Sequence, residues 1–218
     1  MKRTLICLTT ALFLLGYSGM AAKRKRSARS GNSFDFYLLT LSYAPDFCDQ
    51  PSGIKDPREC GTGRKIGFVV HGLWPNAETG RGPENCGGSP VKASIVQLML
   101  NYIPTESLIQ HEWTTHGTCS GLTADAYFAQ VRKARDALTI PADLARPAST
   151  VTLPGSQIEA KFAASNTSYP KDSFRTSCYN NGELQEVRVC LAKDLTPRAC
   201  PVSLADCTRL GIQLLPVR

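Results

Sequence analysis

The sequence predicts an α+β fold, a single domain whose central, largely antiparallel β-sheet packs with helices and is stapled by four disulfides. Strand-like and helix-like segments are mixed without the regular βαβ alternation that builds a parallel sheet. Asn180-Asn181-Gly182 separates two strand-like runs and is a strong hairpin signal. Once Cys7 in the leader is set aside, eight cysteines remain: Cys48, Cys60, Cys86, Cys119, Cys178, Cys190, Cys200 and Cys207. An even number behind a secretory leader reads as four disulfides formed in an oxidising compartment.

Met1-Lys2-Arg3, the apolar stretch from Thr4 to Gly16 and the small residues of Gly19-Met20-Ala21 have the anatomy of a signal peptide over residues 1–21. An uncleaved anchor is the competing reading, but the apolar run is short for a bilayer. Residues 22–32 are expected to be a basic, flexible tail, and residues 33–218 the folded domain. No other long apolar run exists, so a polytopic membrane protein is excluded and no membrane contact is expected of the mature form. The net charge of +7 is concentrated at the start. The first 30 residues hold seven basic groups and no acid, and the remainder balances 18 basic against 18 acidic groups. Global charge therefore makes no case for a polyanionic partner.

Phe34 to Tyr43 reads as a buried strand, and Lys65 to Val70 as a second strand that delivers His71 at its end. The Gly- and Pro-rich stretch from Asn76 to Ser89 reads as a loop, and Ser89-Pro90 as the cap of a helix over 91–101. A helix is expected over 108–117. Thr123 can cap another, which runs to about Leu138 with Tyr127, Phe128, Val131 and Ala134 on its apolar side. A helix over 157–164 and the hairpin strands 174–179 and 183–191 complete the set. Asn166-Thr167-Ser168 has the form of a glycosylation sequon.

All three histidines lie in two short segments, 68–76 and 111–119, which also contain both tryptophans, Trp74 and Trp113. On a helix Glu112 and His116 share a face, where the carboxylate can orient the imidazole and raise its pKa. His111 and His116 are five apart and diverge by about 140° at ~100° per residue. That spacing departs from the His-Glu-x-x-His pattern of zinc proteases. A zinc site made from the three histidines stays open as an alternative, and zinc on cysteine finds no Cys-x-x-Cys pair to support it. Without a metal, a pair of imidazoles is acid–base equipment, since the group titrates near neutrality. Such a pair suits displacement at phosphorus by a neighbouring hydroxyl, and RNA supplies that nucleophile as its 2′-hydroxyl. No Gly-x-Ser-x-Gly elbow points to a serine hydrolase.

His71-Gly72-Leu73-Trp74-Pro75-Asn76 and His111-Glu112-Trp113-x-x-His116-Gly117-Thr118-Cys119 resemble the two active-site segments of the ribonuclease T2 family. Their order, their separation of about 40 residues and the upstream Pro83-x-x-Cys86 also fit. The resemblance implies a metal-independent endoribonuclease with little base preference. It would cleave single-stranded RNA to 2′,3′-cyclic phosphate ends and then to 3′-phosphates. His116 would be the general base, His71 the general acid, Glu112 their helper and His111 a phosphate ligand. Trp74 resembles a base-stacking platform, with Asn76 in the adjoining substrate-binding position, and Trp113 is expected in the core. No cofactor or metal ligand is implied, RNA is the expected partner, and a secreted or periplasmic monomer is expected. For the cysteines the resemblance implies Cys86–Cys119, Cys178–Cys207 and Cys190–Cys200, leaving Cys48–Cys60; spacing alone leaves about 105 pairings open. Many family members carry lysine where this chain has Thr115, so the alternative is a catalytically weak RNA-binding or toxin-like protein on the same fold.

Overall fold

Strand β1 (Phe36–Tyr43) alternates Tyr37, Leu39, Leu41 and Tyr43 toward one side with Phe36, Leu38, Thr40 and Ser42 toward the other, and it sits in the middle of the main sheet. The computed structural model describes residues 33–53 and 56–217. The leader expected over 1–21 and the basic tail over 22–32 lie outside the described residues. The sheet is antiparallel with order β2-β1-β5-β4, where β2 is Phe68–Asn76, β4 is Phe174–Cys178 and β5 is Leu184–Leu191. A two-stranded sheet pairs β3 (Val151–Leu153) with β6 (Ile212–Leu214).

The side of β1 bearing Tyr37, Leu39 and Leu41 belongs to the main core. Helices α3 (Ala93–Met99), α4 (Glu106–Thr115), α5 (Ala124–Asp136) and α7 (Gly155–Ser165) contribute Val96, Ile109, Phe128 and Phe162 to it. On the other side, Phe36 and Leu38 form a small second core with Cys190 and Cys200, against which Trp74 packs. Further along that side the residues turn polar, through Ser42 and Glu186, which face each other across β1 and β5. Burial of apolar side chains on both sides fixes the register, and the register decides which polar residues meet.

Three expectations shift in position. β2 starts later than the strand expected over 65–70 and runs on to Asn76, so His71 is inside the strand rather than at its end. Pro75 is tolerated there because β2 is an edge strand. The helix expected over 91–101 is shorter, and its N-cap is Lys92 without a side-chain hydrogen bond. Ser89 and Val91 are instead engaged by α4: the Trp113 indole donates to the Ser89 carbonyl, and the Gln110 amide bonds both backbone groups of Val91. Thr105 caps α4, which ends at Thr115, and a 3₁₀ turn covers Gly117–Ser120. Thr123 caps α5 as expected, and the Asn180-Asn181-Gly182 hairpin forms with Gly182 at φ 95°. Three short helices, α1 (Ala44–Asp49), α2 (Pro57–Cys60) and α6 (Ala142–Ala145), have no counterpart in the sequence reading.

The disulfides are Cys48–Cys60, Cys86–Cys119, Cys178–Cys207 and Cys190–Cys200. Buried Asp46 on α1 clamps two distant segments by accepting the backbone N–H groups of Leu184 and Leu215. Asn166 of the sequon is also buried. Its side chain donates to the Thr139 and Phe162 carbonyls and accepts from the Thr139 N–H, so the folded chain does not present it as a free acceptor.

Candidate active site

The site begins with an irregularity in backbone pairing. Thr40 lies opposite Gly72 and Leu41 opposite Val70, which leaves His71 as the extra residue of a β-bulge. A bulge re-aims the side chain it carries. Here it places His71 Nδ1 at 2.8 Å from Glu186 Oε1 and 3.3 Å from Ser42 Oγ. The other ring nitrogen, Nε2, lies 3.6 Å from Glu112 Oε1. Glu112 Oε2 accepts the Trp74 indole N–H at 2.6 Å. Gly72 makes this approach feasible, since a Cβ there would lie 2.0 Å from Glu112 Oε2 and 2.3 Å from Trp74 Nε1.

His116 comes from a helix end rather than a strand. It is the C-cap of α4, with φ −116° and ψ −50°, so the chain is already leaving the helix. Gly117 follows it, packed so closely that a Cβ would come within 2.6 Å of the Trp113 ring. The divergence expected between His111 and His116 on a continuous helix therefore does not apply, and their rings lie 6.3 Å apart. Trp74 neighbours both candidate catalytic histidines, with its ring centroid 5.2 Å from that of His71 and 5.0 Å from that of His116. The His111 ring is exposed, with Thr115 Oγ1 3.4 Å from its Nδ1. Trp113 is in the core against Tyr127 and Phe128. Asn76, at the end of β2, accepts the N–H of Ala77, and none of its hydrogen bonds reaches a histidine.

The two histidines are driven in opposite directions. Burial pulls the His71 pKa down, but the Glu186 hydrogen bond and the charges of Glu112, Glu186 and Glu59 outweigh it and hold the imidazole above its usual 6.5. Burial lowers His116 to about 4, and His111 and His71 push the same way. This corrects the expectation that Glu112 would orient His116 and raise its pKa, because Glu112 turns instead to Trp74 and His71. Burial lifts Glu112 itself to about 7, against the pull of His71 and the Trp74 hydrogen bond.

Several residues of this site escaped the sequence reading: Ser42, Glu59, Ser177, Glu186 and Arg188. The available signal was a carboxylate inside Leu184–Leu191, an otherwise mostly apolar strand, because a buried acid needs a partner. A cleft of about 460 Å³ opens beside His71, lined among others by Ser42, Phe47, Val69, His111 and Tyr179. Among the described residues, His111, Glu112 and His116 form the one set able to hold a metal ion, with ligand atoms within 4.8 Å of one another.

A profile of the ribonuclease T2 family matches residues 34–200, which include every histidine, both tryptophans and seven of the eight paired cysteines. The chain belongs to the ribonuclease T2 family. A probable ribonuclease of Haemophilus influenzae is 37% identical over 121 residues, covering 49% of this chain and 44% of that protein. A ribonuclease of Aeromonas hydrophila is 33% identical over 123 residues, covering 56% and 53%. The chain thus spans about half the length of these two relatives. Ribonuclease T2 protein rnst-2 of Caenorhabditis elegans is 28% identical over 208 residues, covering 80% and 70%. Among solved structures, a ribonuclease-related protein from Calystegia sepium matches with a TM-score of 0.69 at 20% identity, over 85% of this chain and 99% of that one. Ribonuclease MC1 from bitter gourd seeds matches with a TM-score of 0.56 at 28% identity, over 81% and 95%. The T2 fold seen in these neighbours is the α+β architecture described above.

Proposed function

We propose that the protein is an endoribonuclease that cleaves single-stranded RNA by metal-independent transphosphorylation with little base preference. The observation that carries this reading is the pairing of two histidines of opposite character at one site, each with its ring against Trp74. His116, held neutral, takes the proton of the 2′-hydroxyl as that oxygen attacks phosphorus. His71, held protonated, delivers a proton from Nε2 to the departing 5′-oxygen. The P–O5′ bond breaks, a 2′,3′-cyclic phosphate forms, and the two histidines exchange protonation states. Hydrolysis runs in reverse sense: His71 takes a proton from water and His116 returns one to the 2′-oxygen, leaving a 3′-phosphate.

Glu112 supports the protonated form of His71 and fixes the Trp74 ring. His111 contacts the phosphate from the open side of the site, and the cleft beside His71 receives the nucleotide. A ribonuclease MC1 variant is solved in complex with 5′-UMP, in keeping with a nucleotide at a site of this kind. Four disulfides and the leader-like N-terminus support secretion or a periplasmic location, and among the described residues no helix is long and apolar enough to cross a membrane.

The test is incubation of the purified protein with RNA in excess EDTA, followed by analysis of the product ends. Cyclic phosphates are the expected product. Failure to cleave until zinc is added would favour a metal site on His111, Glu112 and His116 instead. DNA lacks the 2′-hydroxyl and should remain intact.

A further inference from the structure

We infer that Glu186 is the positioning residue for His71, orienting the imidazole so that Nε2 carries the transferable proton; this rests on the acid role proposed for His71. Glu186 is 2% exposed and lies in a strand whose neighbours are core residues. Its two oxygens are divided: Oε1 is given to His71 Nδ1 at 2.8 Å, while Oε2 accepts from Arg188 Nε and Nη2 and from Ser177 Oγ at 2.8–3.2 Å. Three bonds on one oxygen keep the carboxylate from swinging and leave the other aimed at the ring. The backbone reinforces this. Glu186 faces Ser42 of β1 and Ser177 of β4 across the sheet, and the β2 bulge brings His71 to the same place. An ion pair needed only for folding would be satisfied by Arg188 without an oxygen reserved for the histidine. Glu112 cannot take over this task, since at 3.6 Å from Nε2 it lies beyond good hydrogen-bond range and on the side that must release its proton.

The ionisable groups that face His71 are Glu186 from β5, with Arg188 behind it, Glu112 from α4 and Glu59 from α2. His116 shares Trp74 as a neighbour with His71, and the two imidazoles repel when charged. Removing the Glu186 charge should make His71 a stronger acid that loses its proton earlier. Removing Arg188 should make Glu186 more basic and hold that proton longer. The expected result for Glu186→Gln is a fall in kcat of about 10- to 100-fold with little change in KM, and a move of the alkaline limb of the pH–rate profile to lower pH by about one unit. Arg188→Met should move the same limb the other way. Opposite shifts are a signature that general loosening of the fold does not produce. If Glu186→Gln does not fold, Glu186→Asp keeps the charge but withdraws the oxygen, and kcat should fall with KM unchanged. Wild-type cleavage that His71→Ala abolishes, alongside a folded Glu186→Gln with unchanged kcat and limb, would overturn the positioning role alone. A wild type that leaves RNA uncut would overturn the parent reading.

A separate observation concerns the outer edge of β2, where the Val70 N–H donates to the Tyr102 carbonyl. A cleft of about 430 Å³ there is lined by Arg64, Lys65, Arg135 and Arg146, and its one acid, Asp136, accepts a hydrogen bond from the Tyr102 hydroxyl. Such a cluster stands out on a domain whose charges balance overall. Val69 lines both this cleft and the one beside His71. At ~3.3 Å per strand residue, Phe68, which also lines it, lies about 10 Å along β2 from His71. We propose that this groove holds backbone phosphates of RNA beyond the scissile one. The test is the triple variant Arg64→Gln, Lys65→Gln, Arg146→Gln, which alters only exposed side chains. Its kcat/KM on long RNA should fall about tenfold at low salt, its salt slope should flatten by about two, and dinucleotide cleavage should not change. An unchanged rate and salt slope on long RNA would overturn the proposal. So would equal losses on both substrates. Loss of binding to anionic vesicles, with RNA cleavage unaffected, would assign the groove to a membrane surface.

Discussion

The His71 and His116 rings lie at nearly equal distance from the same tryptophan, yet their surroundings give them opposite character. The His71 side is built from strands and is rich in carboxylates: Glu186 in hydrogen-bond contact, with Glu112 and Glu59 adding charge. The His116 side is built from a helix end and a 3₁₀ turn. There, burial and two neighbouring imidazoles hold the ring neutral to about pH 4. The comparison teaches that the opposite proton affinities of the two imidazoles are set by what each backbone element brings alongside, because the two side chains are chemically identical.

The largest effect should come from deleting either member. His71→Ala and His116→Ala should each lower kcat by about 10³-fold, measured on a dinucleotide substrate. Substantial residual cleavage by either would break the pairing of roles. Glu112→Gln comes next, with a loss of about 10- to 100-fold. Its remaining amide oxygen can still accept from Trp74, so the deficit should concentrate on the His71 side. Severing Cys86–Cys119, which closes a separation of 33 residues, should reduce the unfolding free energy by about 3–4 kcal/mol. Because Cys119 lies three residues after His116 and Asn85 donates to the Thr115 carbonyl, activity should also fall several-fold at a temperature where the double serine variant stays folded. Full activity there would show that the His116 side needs no such brace. The smallest effect is expected from Thr115→Lys. It places a cation beside His111 and should raise kcat up to about tenfold by stabilising charge on the phosphorane. No gain would mean that existing groups already supply that stabilisation.

What was legible in the sequence is what local chemistry decides. Asn180-Asn181-Gly182 made its hairpin, Thr123 capped α5, and Trp113 went to the core, because each signal acts within a few residues. The position of His71 was not legible in the same way. Its bulge depends on how β1 and β2 share a register, and its nearest carboxylate is 115 residues away in sequence. The angle between His111 and His116 failed for a related reason: periodicity describes a continuing helix, and His116 is where this one stops. The Ser89-Pro90 cap lost to Trp113 and Gln110, whose bonds to that segment are tertiary. Helices of four to six residues, such as α1, α2 and α6, are too short to show a period.

The most direct test of the account is titration of the three histidines by NMR, with His111→Ala and His71→Ala used to assign each ring. His116 should stay neutral down to about pH 4, and His71 should stay protonated beyond pH 6.5. The pH–rate profile should then rise through the first value as His116 becomes available as a base, and fall through the second as His71 loses its acid proton. Titration of both rings together near 6.5, or in the reverse order, would contradict the assignment of base and acid on which the account rests.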